Sequence, residues 1–460
     1  MSIHLFPTRV ETYLMAIGKK IQKTIRAISE RDNCAASEYH ALPDDARKKV
    51  LETLNSVGLK SLTRLIKDSR KKAFAAAEKR FLRIAAGSMA TPVYFLDETL
   101  IEENMRILRY VKDRTGCKIL HALKAYAAFA TFPTMRRYLD GICASGLNEA
   151  RLGYEEFKKE VHTFGAAYRE KEIRQILKHS DSIIFNSFYQ LQQYGNTARK
   201  RGVEIGLRVN PGHSEVDADM YNPCASYSRL GIIRDIFSEE FPKYKELVDG
   251  LHFHAMCEQN SDVLGRILKT FERLYGQYVK GLKWVNFGGG HHITRDDYDL
   301  ELLIRLINSF KQKYGVQVYL EPGEASVYSA GVLVSSVLDI VANRMEIAVL
   351  DASAETHMPD VLLMPYRPHI MKSAGPNEKK YTYRLAGPSC LAGDVIGDYS
   401  FDEPLKRGDK LVFSDMALYS IVKSTTFNGI NLPDISIIGH GGKIKTARRF
   451  GYQDYKCRQS

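Results

Sequence analysis

Five features recur in one order along this sequence: a lysine closing an apolar run (Lys124), a histidine closing another (His254), three successive glycines (Gly288, Gly289, Gly290), a glutamate before Pro-Gly (Glu321), and a cysteine among glycine-rich turns (Cys390). A desolvated lysine amine is a nucleophile toward aldehydes. Consecutive glycines let backbone N–H groups crowd around a phosphate. A carboxylate facing a pyridine nitrogen keeps it protonated, and an imidazole can stack on such a ring. Together these are the demands of pyridoxal phosphate. Taken singly, each has an ordinary structural reading: a snorkelling lysine stem, a core histidine, two turns and a small buried hydrophobe. Their joint order favours the cofactor.

The elements that position these residues read as alternating strands and helices from Thr91 onward. Candidate strands lie near 119–123, 141–145, 161–164, 183–185, 204–209, 250–254, 284–287 and 317–320. Eight β/α units over roughly 230 residues predict a closed (β/α)8 TIM-like barrel, with a doubly wound open sheet as the alternative. Barrels of this kind carry active residues at the C-terminal ends of their strands. Lys124, Glu149, Arg208, His254, the glycine triplet and Glu321 all fall at such ends. After about residue 326 the pattern becomes short strands at 348–350, 362–364, 410–413 and 435–438, which predicts a C-terminal β-barrel or sandwich domain. It carries Gly387-Pro-Ser-Cys390, Gly393-Asp394, Gly397-Asp398 and Asp415-Met-Ala-Leu-Tyr419. The expected division is a helical extension at 1–88, the barrel at 91–325 and the β domain at 326–460. Within the extension, Pro43-Asp44-Asp45 suits a helix start and a basic helix is expected from about Leu59 to Ala86.

The 460 residues are 44% hydrophobic and 26% charged, as in ordinary globular proteins. The net charge of +12 is confined to the ends: residues 1–90 carry +9, residues 441–460 carry +5, and the middle is −2. A basic patch for nucleic acid is therefore not expected on the barrel. No long apolar run or signal-peptide layout is present, so a cytoplasmic protein without membrane contact is expected. Seven scattered cysteines without a CxxC pair argue against disulfides or a zinc module, and no metal is expected.

In its motifs the chain resembles the fold-type III pyridoxal phosphate decarboxylases, which include ornithine and diaminopimelate decarboxylases, and within them the branch acting on carboxylated polyamines. The resemblance rests on Thr91-Pro-Val-Tyr-Phe-Leu-Asp97, Ala122-Leu-Lys-Ala125, Ser145-Gly-Leu-Asn-Glu149, Leu251-His-Phe-His-Ala-Met-Cys-Glu258, Asn286-Phe-Gly-Gly-Gly290, Leu320-Glu-Pro-Gly-Glu324, Gly387-Pro-Ser-Cys-Leu-Ala-Gly-Asp394 and Phe450-Gly-Tyr-Gln-Asp-Tyr455. It implies that Lys124 binds the cofactor aldehyde, His254 stacks on the ring and Glu321 meets the pyridine nitrogen. It also implies that Gly288, Gly289, Gly290 and Tyr419 hold the phosphate, with Arg208 near the cofactor. Cys390 is implied to be lent across a homodimer, so that each site is built from two chains.

Departures from the resemblance bear on substrate. Ornithine and diaminopimelate decarboxylases generally carry arginine after Glu-Pro-Gly, where this chain has Glu324, and an acidic residue after the shared cysteine, where it has Leu391. A long cationic substrate would instead find charge-assisted hydrogen bonds at Glu258, Glu324, Asp394 or Asp398, with Glu258 favoured because it follows the His254 strand. The expected reaction is decarboxylation of a carboxylated polyamine. The alternatives are decarboxylation or racemisation of another amino acid, and a silent cofactor-binding regulator.

Overall fold

The computed structural model describes residues 60–460, of which 70–460 form one compact unit. The helices expected before residue 60, including the start at Pro43, lie outside the described residues. Helix α1 (Lys60–Ala85) forms where the basic helix was expected. No helix among the described residues is long and apolar enough to cross a membrane.

Strand β1 (Val93–Asp97) leads directly into helix α2 (Glu98–Thr115). The junction is set by Asp97, whose carboxylate accepts from the N–H groups of Thr99 and Leu100 at 3.0 and 3.4 Å. It thereby satisfies donors that the first helical turn leaves unpaired. Gly116, with φ of 61°, takes the left-handed conformation that ends the helix.

Eight parallel strands then close into a barrel: β2 (Lys118–Ala122), β3 (Gly141–Ala144), β4 (Glu160–Phe164), β5 (Ser182–Phe185), β6 (Glu204–Arg208), β7 (Gly250–His252), β8 (Trp284–Asn286) and β9 (Gln317–Leu320). These strands read as short apolar runs because both faces are covered, by the outer helices and by the barrel interior. Trp284 fills one interior layer with Leu120, Ile184 and Tyr319. Its ring needs glycines opposite: a Cβ on Gly250 would stand 2.1 Å from Trp284, and one on Gly206 would stand 2.4 Å away.

The second module is a mixed sheet with strand order β13-β12-β11-β10-β1-β15-β16, and β14 pairs with β10. Its strands are β10 (Gly331–Ala342), β11 (Glu346–Leu350), β12 (Tyr381–Ala386), β13 (Val395–Phe401), β14 (Lys410–Ser414), β15 (Asp434–Ile438) and β16 (Ile444–Arg448). Two features differ from the sequence reading. Strand β1 falls within the stretch expected to form the barrel, yet it pairs antiparallel with β10 and parallel with β15 in this sheet. All five of its residues are buried, so its backbone needs a ladder on both edges, and the closed barrel has no free edge to offer. The strand expected at 362–364 is a helical turn, Asp360–Leu363. Pro359, with φ of −62°, opens that turn, and the N–H groups of Leu362 and Met364 bond back to the carbonyls of Pro359 and Asp360.

Candidate active site

Lys124 stands just beyond the C-terminal end of β2, on a loop fastened from two sides. The N–H of Tyr419, from the sheet module, donates to the Ala125 carbonyl at 2.7 Å. From the barrel rim, Gly323 presses so close that a Cβ there would lie 2.6 Å from Ala125 Cβ. The Glu-Pro-Gly turn is thus compressed against the lysine loop, and the turn seen in the sequence has a packing reason.

Glu321 follows β9 and lies inside the rim, 8% exposed. Its carboxylate accepts from Asn286 Nδ2 at 2.7 Å and meets His252 Nε2 at 3.2 Å. A carboxylate only accepts, so the bonded imidazole nitrogen carries the proton. Burial opposes the charge on Glu321, but His252 and the two hydrogen bonds outweigh it and draw the carboxyl down to about 2. The group is a fixed anion at any physiological pH.

His254 follows β7 and accepts the N–H of Gly289 at its Nδ1, at 2.9 Å. That nitrogen therefore has no proton. Burial, and then the cations of Lys124 and Arg208, hold the ring well below the ordinary histidine range. A neutral imidazole results. The three glycines are required by close backbone approach: Cβ atoms on Gly288, Gly289 and Gly290 would stand 2.4, 2.4 and 2.1 Å from the carbonyl oxygens of Phe253, Glu321 and Met256. Gly288 and Gly290 also have φ of 71° and 81°.

These residues enclose a cavity of about 390 Å³ whose walls include Lys124, Arg208, His254, Gly289, Gly290, Glu321, Glu324 and Tyr419. Gly288 sits behind that wall, against His254. Arg208 lies 4.5 Å from the Phe164 ring centroid, and burial lowers its guanidinium to about 10 against the pull of Glu321. Residues 219–230, after β6, supply most of the remaining wall. Around Glu324 in that wall, Glu258, His292 and Glu324 bring a carboxylate oxygen, an imidazole nitrogen and a second carboxylate oxygen within 4.8 Å of one another. His292 Nε2 bonds Glu324 at 3.0 Å, and burial together with the nearby Glu324 raises the Glu258 carboxyl.

Three expected site residues lie elsewhere. Asp394 is buried and accepts from Ser353 Oγ and the N–H groups of Ala354, Glu355 and Ser389, so it braces the sheet module. Asp398 is held by Arg384 in a two-pronged ion pair at 2.8 and 3.0 Å. Neither lines the cavity of its own chain. Cys390 is exposed, outside the cavity, with its N–H on Asn428 Oδ1. Glu149, in the short helix Leu147–Leu152, reaches back to accept the Ser145 N–H at 2.6 Å. The sequence reading passed over Asn286, His252 and His292. Asn286 and His252 stood inside quoted motifs, and His292 stood two residues beyond one, but only contacts across strands reveal what they hold.

The donor set suits pyridoxal phosphate: a primary amine, a permanently ionised carboxylate, a neutral imidazole and a glycine turn share one cavity of adequate size. Comparison with known proteins agrees. Residues 71–417 match the family model described as pyridoxal-dependent decarboxylase, C-terminal sheet domain. The chain is 43% identical over 380 residues to a carboxynorspermidine/carboxyspermidine decarboxylase of Campylobacter jejuni, covering 80% of this chain and 98% of that one. It is 39% identical to a carboxyaminopropylagmatine decarboxylase of Synechocystis, covering 81% and 96%. A crystal structure of carboxynorspermidine decarboxylase complexed with norspermidine, from Campylobacter jejuni, superposes with a TM-score of 0.75 at 42% identity, covering 81% of this chain and all of that one.

Proposed function

Because the chain belongs to the pyridoxal-dependent decarboxylases, we propose that it releases CO2 from carboxynorspermidine or carboxyspermidine, yielding norspermidine or spermidine. The observation that carries this reading is a pair of carboxylates beside the cavity: Glu324 lines the pocket that holds Lys124 and Glu321, and Glu258, next to the lining residue Cys257, comes within 4.8 Å of Glu324. A secondary ammonium would find two acceptors there, whereas the distal carboxylate of diaminopimelate would meet like charge.

Pyridoxal phosphate, when bound, supplies the electron sink for the pair released as the carboxylate departs. The protein's residues supply the rest. Lys124 would hold the cofactor through its aldehyde and would give up that place to the substrate's primary amine, leaving as a free amine. Glu321, held ionised by His252 and Asn286, keeps the ring nitrogen protonated. His254, being neutral, packs its ring against the cofactor without placing a second cation there. The N–H groups of the glycine turn and the Tyr419 hydroxyl take the phosphate, with Arg208 beside them. Glu258 and Glu324 fix the amine tail, which orients the carboxylate for departure. Lys124 or Cys390 returns a proton to the substrate carbon.

The reading includes a cytoplasmic homodimer in which Cys390 serves the neighbouring chain's site. Its support is placement: Cys390 and Leu391 are exposed on a loop outside their own cavity. The test is CO2 release with pyridoxal phosphate from carboxynorspermidine, carboxyspermidine, carboxyaminopropylagmatine, meso-diaminopimelate and ornithine, with Lys124→Ala as control. Preference for the first two, abolished in the control, is the expected result. Preference for diaminopimelate or ornithine would refute the assignment of Glu258 and Glu324.

A further inference from the structure

Asn286 closes β8 with no exposed surface, and its side-chain amide is used at both ends. Nδ2 donates to Glu321 Oε1 at 2.7 Å, and Oδ1 accepts the Gly288 N–H at 2.9 Å. The orientation is unambiguous: the carboxylate can only accept and the backbone N–H can only donate, so the amide cannot be reversed without breaking both bonds. The adjoining glycine bonds His254 in turn. One side chain therefore spans the gap between the carboxylate after β9 and the glycine turn after β8.

We propose that Asn286 is a positioning residue that locks Glu321 to the glycine turn, so that the partner of the cofactor's ring nitrogen and the cradle of its phosphate are held at a fixed separation. The inference rests on the roles proposed above for Glu321 and the glycines. No other residue type of this size does both tasks: leucine does neither, and aspartate keeps the acceptor for Gly288 but turns a carboxylate toward Glu321. The other groups acting on Glu321 are His252 on β7, Arg208 at the end of β6, His162 on β4, Cys143 on β3 and His291 after β8. Asn286 carries no charge of its own, so replacing it with an acid changes the charge balance without removing any cation.

The test is Asn286→Asp alongside Asn286→Ala and Glu321→Gln, reading cofactor affinity by titration of the apoprotein and the visible absorption of bound cofactor across pH. Both Asn286 variants are expected to bind pyridoxal phosphate about tenfold or more weakly, the usual effect of losing a hydrogen bond to a charged group. Only Asn286→Asp is expected to acquire a pH-dependent absorption band near neutrality, because two adjacent carboxylates share a proton. A merely structural asparagine would weaken binding in both variants and leave the band as in the wild type, which would overturn the proposal. If Asn286→Asp does not fold, Asn286→Ala decides by affinity read beside thermal unfolding: weakened binding at a wild-type Tm supports the proposal, and wild-type affinity, or a loss that only tracks a lowered Tm, overturns it. Glu321→Gln separates the two levels: an unchanged band in that variant means that Glu321 does not meet the ring, and the underlying reading fails with the proposal. A changed band there beside a wild-type Asn286→Asp refutes the proposal alone.

Discussion

On the reading proposed above, Glu258 and Glu324 bind the substrate's amine tail and take no part in the bond-breaking step. Glu258→Gln keeps the shape and removes the charge, so its effect should fall on KM. A loss of about tenfold to a hundredfold in affinity for the polyamine substrate, with kcat little changed, follows from removing one charge-assisted hydrogen bond. Steady-state kinetics check it. The pH dependence has a definite sign. Partial burial and Glu324 raise the Glu258 carboxyl, so as pH falls it takes up a proton earlier than an ordinary glutamate would. KM should therefore rise toward mildly acidic pH, and the rise should be lost in Glu258→Gln. At this scale the gathering of Lys124, His254 and Glu321 on one cavity was legible in the sequence, because a barrel brings its strand ends together and the strand ends were visible. That Asp394 and Asp398 lie outside the cavity of their own chain was not, because the groups that occupy them, Ser353 and Arg384, come from segments whose proximity no local pattern encodes.

Among the elements, the barrel depends on one large ring being admitted by two missing side chains. Gly250→Ala would drive a methyl into Trp284 and should destabilise the protein by about 1 to 3 kcal/mol, as overpacking does. Thermal unfolding monitored by circular dichroism measures it, and Trp284→Phe in the same background should recover part of the loss. The eight barrel strands were readable because each is a short buried run bounded by polar helices. Two elements escaped for different physical reasons. The apolar Leu362–Met364 run carries the composition of a strand, yet Pro359 starts a helical turn beneath it. Strand β1 was seen as a motif, but its partners at β10 and β15 lie more than two hundred residues away in sequence, beyond the reach of periodicity.

For the whole molecule, the shared site proposed above predicts complementation. Lys124→Ala and Cys390→Ala proteins, each nearly inactive alone, should regain part of the wild-type decarboxylase activity when unfolded together and refolded as a mixture, because a mixed dimer has one site with both residues intact. Recovery no greater than the sum of the two parents would mean that Cys390 acts within its own chain or not at all. The position of β1 has a separate consequence. The sheet module borrows an interior strand from residues that precede the barrel, so the chain leaves one module, builds the other, and then returns. The C-terminal portion is therefore not a transferable cassette. A chimaera that exchanged residues 326–460 with those of a relative would ask a foreign sheet to accept a native strand between β10 and β15, and a workable exchange has to carry Val93–Asp97 along with it.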